Sequence, residues 1–144
     1  MRDAEANRLS REVPQALLDR GCVLWLRDLR SDTLPRHLRT FLAEHFQPLD
    51  GDLSLWGQRF HSPVRATFLA SRDDRYFVDP PDAVKGGLRI DDRPVSSVTF
   101  SLTAGPHSVE YSGPLRSIYL LWLPRDGKTW SPKQGLPRTF SWLF

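Results

Sequence analysis

Aromatic side chains set among basic ones are the groups in this chain best suited to recognition chemistry. Trp130 and Trp142 lie in a Pro- and Gly-punctuated stretch with Arg125, Lys128 and Lys133 as neighbours. Indole beside guanidinium or ammonium is the composition of a sugar-stacking platform or of a membrane-interface anchor. The stretch also carries Phe140, Leu143 and Phe144. Five large apolar side chains are rarely left in water, so the same residues equally suit docking on the chain's own domain. Both alternatives stand at this level. His107 is the other binding candidate, at the start of an alternating apolar segment, where a histidine bonding a backbone carbonyl at a strand edge is the plainer expectation.

Catalytic constellations are not found. His37, His45, His61 and His107 show no i, i+4 pairing and no cysteine partner at zinc spacing. Asp73, Asp74, Asp79 and Asp82 lack the alternating oxygen ligands of a calcium loop and read as a turn with side-chain caps around Pro80-Pro81. Asp91 and Asp92 are adjacent in a tight turn and point apart, so they cannot flank a glycosidic bond. There is no nucleophile elbow, and Gly86-Gly87 lies outside any phosphate-loop pattern. No metal and no cofactor is predicted.

The elements that would position these groups fall into two halves. Arg8–Arg20 has apolar residues at helical spacing, with Gly21 as its stop. Cys22–Leu26 is a continuous apolar run that predicts a strand buried on both faces, with Cys22 as a small buried hydrophobe. Ser31-Asp32-Thr33 caps a helix opened by Pro35 and striped by Leu34, Leu38, Phe41, Leu42 and Phe46. A turn at Asp50-Gly51-Asp52 leads into a strand over Leu53–Phe60. From Pro63 the pattern changes to short strands: Val64–Ala70, Arg75–Val78, Gly87–Ile90, Ser97–Leu102, His107–Tyr111 and Leu115–Leu123. Turn formers separate them, including Asp91-Asp92 and Ala104-Gly105-Pro106. Leu115–Leu123 is apolar on both faces and predicts a central strand, covered by sheet on one side and helix on the other, that joins the two halves. Trp25, Trp56 and Trp122 lie in apolar runs and are core candidates.

Composition sets the outer limits. The chain has 144 residues, one cysteine and a formal net charge of +3. That length supports a core without staples, and one cysteine excludes an intrachain disulfide. So small a charge disfavours nucleic-acid binding. No segment approaches the roughly 18 apolar residues that span a bilayer, and the opening residues lack the apolar core of a secretory signal.

Two stretches of the chain resemble known families. Gly87-Leu88-Arg89-Ile90-Asp91-Asp92-Arg93-Pro94-Val95, with Leu102-Thr103-Ala104-Gly105-Pro106-His107-Ser108-Val109, resembles the V-D-G-x-P-x … L-x-x-G-x-H-x-V pattern of PEGA-like β-sandwich domains, with Asp92 where that pattern has glycine. Cys22–Leu26, Thr33-Leu34-Pro35, Ala43-Glu44-His45-Phe46-Gln47-Pro48-Leu49 and Leu53–Phe60 are similar to the soluble segment after the last membrane span of bacterial polytopic glycosyltransferases of the mannosyltransferase-like type. The second resemblance implies an extracytoplasmic accessory region, and it carries over no catalytic residue.

The reading is therefore an α+β fold, a small helix/strand N-terminal layer packed on an antiparallel β-sandwich-like sheet. Its expected parts are a helix-strand-helix-strand segment over 1–62, an antiparallel β module over 63–124 and an aromatic, basic tail over 125–144. The expected function is that of a non-catalytic accessory domain of a membrane-embedded glycosyltransferase, on the periplasmic face. It would contact glycan, lipid-linked sugar or the membrane surface through Trp130, Trp142, Arg125, Lys128 and His107. The alternatives are a free-standing carbohydrate- or protein-binding module and a small hydrolase with an unrecognised site.

Overall fold

Local chemistry sets each boundary of the chain, beginning with its first helix. The computed structural model describes residues 12–26, 33–50 and 52–133, and helix α1 covers 12–19. Gly21 takes φ +59° just beyond it. Its N–H donates to the Leu18 carbonyl and that of Cys22 to the Leu17 carbonyl, both at 3.0 Å. This paired closure needs a left-handed residue, which glycine adopts without a Cβ clash.

Strand β1 (Leu24–Leu26) corrects an expectation. It pairs with β3 (Leu53–His61) and forms an edge of the sheet instead of being buried on both faces. Trp25 turns inward, edge-on to Phe46 with ring centroids 5.9 Å apart, while Leu24 and Leu26 are 56% and 63% exposed. A short apolar run does not reveal how many neighbours its strand has. Cys22 precedes this strand and is only half-buried.

Helix α2 (Arg36–His45) presents Leu38 and Leu42 to the core. Its N-cap is Pro35, without a side-chain hydrogen bond. The anticipated cap was a polar trio, of which Ser31 and Asp32 lie outside the described residues. The helix passes directly into β2 (Phe46–Asp50), a strand the sequence reading missed because Pro48 reads as a breaker. The sheet accommodates Pro48 through a register shift between Pro48 and Asp50 where β2 pairs with β3.

The remaining strands are β4 (Val64–Ala70), β5 (Asp74–Asp79), β6 (Arg89–Ile90), β7 (Arg93–Pro94), β8 (Thr99–Leu102), β9 (Gly105–Tyr111) and β10 (Ser117–Trp122). A six-stranded sheet runs β1-β3-β10-β5-β8, with β2 also paired to β3. A four-stranded sheet runs β4-β9-β6-β7. All pairings among the described residues are antiparallel. The fold is α+β, with two sheets face to face and helix α2 on the same core.

Strand β10 is central, between β3 and β5, as its two apolar faces require. Ile118 and Leu120 turn inward to Trp56, Phe60, Tyr76 and Val78, and across the sandwich to Phe68, Val109 and Tyr111. Each of these fully buried side chains contributes about 1.5–3 kcal/mol relative to exposure. Trp56 is fully buried, and Trp25 and Trp122 pack partly buried on the same core. The outer face of β10 departs from expectation. Leu121 and Leu123 are buried there with Phe77, under Trp130 instead of a helix. Gly57 faces Leu121 across the strands, where a Cβ would lie 2.5 Å from a Leu121 methyl. A side chain at that position would push Leu121 off the sheet.

Candidate functional site

The outer face of the six-stranded sheet holds the candidate site. Antiparallel register puts Asp79 opposite Tyr119, and Phe77 opposite Leu121, with all four side chains on this face. The chain leaves β10, turns at residues 125 and 126, and comes back over the face as a strap. Three residues tie the strap down. The Trp130 indole N–H donates to the Trp122 carbonyl at 3.0 Å. The Ser131 hydroxyl donates to Asp79 Oδ1 at 3.2 Å. The Lys133 backbone N–H donates to the Pro48 carbonyl at 2.9 Å, and its ammonium lies 3.0 Å from Asp50. Of the two readings of the tail, docking on the domain holds for the described part, through Trp130. Trp142 lies outside the described residues, as do Phe140, Leu143 and Phe144.

Between strap and sheet is a cleft of about 170 Å³ lined by Phe77, Val78, Asp79, Pro81, Val98, Thr129, Trp130 and Ser131. At about 30 Å³ per water it has room for a single small ring. Trp130 meets Phe77 edge to face, with centroids 6.1 Å apart. Burial pushes the Asp79 carboxyl above its usual range, and the Ser131 hydroxyl only partly offsets this. Asp79 was expected to cap the turn around Pro80-Pro81. Instead Pro81–Ala83 forms a 3-10 turn without a side-chain cap, and Asp79 faces Ser131, 52 residues on. That partnership has no sequence signal. Apolar walls with a carboxylate and hydroxyls at the rim can stack a ring and fix it by hydrogen bonds.

The other candidate residues lie elsewhere. His107 belongs to the four-stranded sheet, in β9, where it pairs with Phe68 of β4 while β6 reaches only Val109 and Glu110. It is 8% exposed, and both ring nitrogens are engaged: Nδ1 with Asp91 Oδ2 at 2.6 Å and Nε2 with the Thr103 carbonyl at 2.7 Å. The carbonyl bond was anticipated and the carboxylate was not. Asp91 also accepts from the Ser108 N–H at 3.0 Å. The pair sits at a two-residue hairpin turn between β6 and β7, in which Asp91 and Asp92 take φ +50° and +62°. The His107 bond pulls the Asp91 carboxyl below its usual value, with the Ser108 amide helping. Burial works against protonation of His107, but Asp91 and the Thr103 carbonyl outweigh it and raise its pKa. With both nitrogens occupied, this imidazole is a clamp between two loops and not a ligand-facing group.

Arg125 is exposed and acts on Asp74, whose carboxyl is lowered despite its burial by the Trp122 indole, the Arg75 amide, Arg72 and Arg125. Lys128 is exposed, its backbone N–H closing on Asp126 Oδ1 at 2.9 Å. Neither lines the cleft. Among the described residues no group of three or more His, Cys, Asp or Glu side chains is placed to hold a metal ion. No described helix is long and apolar enough to cross a membrane. No family model, no characterised protein and no solved structure matches the chain.

Proposed function

We propose that this chain is a non-catalytic binding module that holds a saccharide ring in the cleft beneath Trp130. One observation carries the reading: the strap brings an indole, a carboxylate and hydroxyls from residues 77–81 and 129–131 around a space of one small ring. Sugars offer apolar C–H faces for stacking and hydroxyls for hydrogen bonds, and this lining complements both. The biological setting we propose is an extracytoplasmic accessory region of a membrane-embedded glycosyltransferase, with a glycan or a lipid-linked sugar as the guest. The resemblance of Thr33-Leu34-Pro35 and His45-Phe46-Gln47-Pro48 to that family's soluble segment supports this setting.

The experiment is an amide and indole NMR titration with a panel of mono- and disaccharides. Shift changes are expected at the amides of 77–79, 98 and 129–131 and at the Trp130 indole, and Trp130→Ala abolishes them. Saturating sugar that leaves those signals unmoved, or moves a different face, removes the proposal.

A further inference from the structure

We infer that the saccharide held in this cleft carries a free amino group, with the Asp79 carboxylate as its counter-charge. The inference rests on the binding reading above and names the chemical class of its ligand. Among the described residues, the only side chain bonded to Asp79 is the neutral Ser131 hydroxyl. The described basic groups of this face are engaged elsewhere. Arg75 donates to the Thr99 hydroxyl at 3.0 Å, Arg59 stands over the Tyr119 ring at 5.8 Å, and Lys133 pairs with Asp50.

A carboxylate partly withdrawn from water gains most from a charged donor, because a charge-assisted hydrogen bond is about twice as strong as a neutral one. The burial that raises its pKa is a penalty an ammonium partner would remove. The apolar walls favour the same guest, since aromatic rings such as Phe77 and Trp130 attract ammonium ions through their π faces. A neutral sugar hydroxyl beside Asp79 gains neither effect.

Glucose, glucosamine and N-acetylglucosamine differ at a single ring position and provide the test. Binding is measured by NMR titration at about pH 6, where an ordinary amine is protonated. Glucosamine is expected to bind at least tenfold more tightly than glucose, with no gain for N-acetylglucosamine. Asp79→Asn is expected to erase the preference, so that the variant binds glucosamine no more tightly than glucose, and Ser131→Ala to keep the preference. The glucosamine advantage should also shrink as salt is raised, which checks the charge without any substitution. Equal affinities for glucose and glucosamine overturn the amino-group inference and leave the binding reading standing. No saccharide binding at all overturns both.

Discussion

Two aspartates on the two sheets meet opposite fates. Asp91, at the β6–β7 hairpin, has its carboxylate satisfied by His107 and by the Ser108 amide, and its pKa falls. Asp79, at the end of β5, has a single neutral side-chain partner among the described residues, and burial drives its pKa up. Carboxylates satisfied by their own chain serve the fold. One with a single described partner beside an aromatic-lined cleft is the group to which the proposed function assigns the guest. Histidines show the same division. His107 is raised by its partners, whereas burial lowers His45, which stacks on Trp56 at 5.1 Å.

Trp130→Ala should break the contrast most severely. It uncovers Phe77, Leu121 and Leu123 and costs about 2 kcal/mol, less than a fully buried aromatic because Trp130 is only half-buried. Chemical denaturation measures the loss. Asp79 should then titrate closer to 3.8, since its cover is gone, and carbon-detected NMR of the carboxyl reads that change.

Asp91→Ala should cost about 1 kcal/mol, the worth of partly exposed hydrogen bonds to a charged group. Amide exchange should accelerate at Ser108 and around Thr103. The His107 pKa should drop, because its burial persists while the carboxylate is removed.

The pH dependence sharpens the comparison because its signs oppose. The Asp91 contribution is complete above 3.8 and disappears as pH falls through the lowered folded value. The His107 contribution is complete below 6.5 and disappears as pH rises through the raised folded value. The clamp is therefore strongest between about pH 4 and 6.5. Asp79 behaves in the reverse sense: its folded carboxyl binds a proton more readily, so acidification through its raised pKa relieves a cost. Melting curves across pH should show His107→Gln destabilising at pH 5 and converging on the parent at high pH. Asp79→Asn should instead gain most at neutral pH.

Asp92→Gly is the smallest change. It removes a left-handed strain at φ +62° and should stabilise by about 0.5 kcal/mol, measured by the denaturation midpoint. The hairpin clamp should be untouched, because no side-chain bond of Asp92 contributes to it.

Much of the β half was legible because its punctuation is local. Val64–Ala70 matches its strand, the Asp91-Asp92 turn is where two left-handed residues are needed, and the two apolar faces of 115–123 mark a central strand. The N-terminal half was less legible. β2 begins where α2 ends, with Pro48 inside it, and the exposed leucines of β1 depend on a neighbour count that no local pattern encodes. Of the site, Trp130 was legible by composition. Asp79 was not, because Ser131 and Trp130 reach it only after the chain has crossed β10 and turned back.

The placement of β10 has a consequence for biosynthesis. It comes last in chain order among the described strands, yet it fills the gap between β3 and β5. Until Trp122 emerges, Gly57–His61 and Tyr76–Asp79 each lack the neighbour they pair with in the finished sheet. Nascent or truncated chains that stop short of Ser117 thus present two open edges at once, the template on which strands from separate chains aggregate.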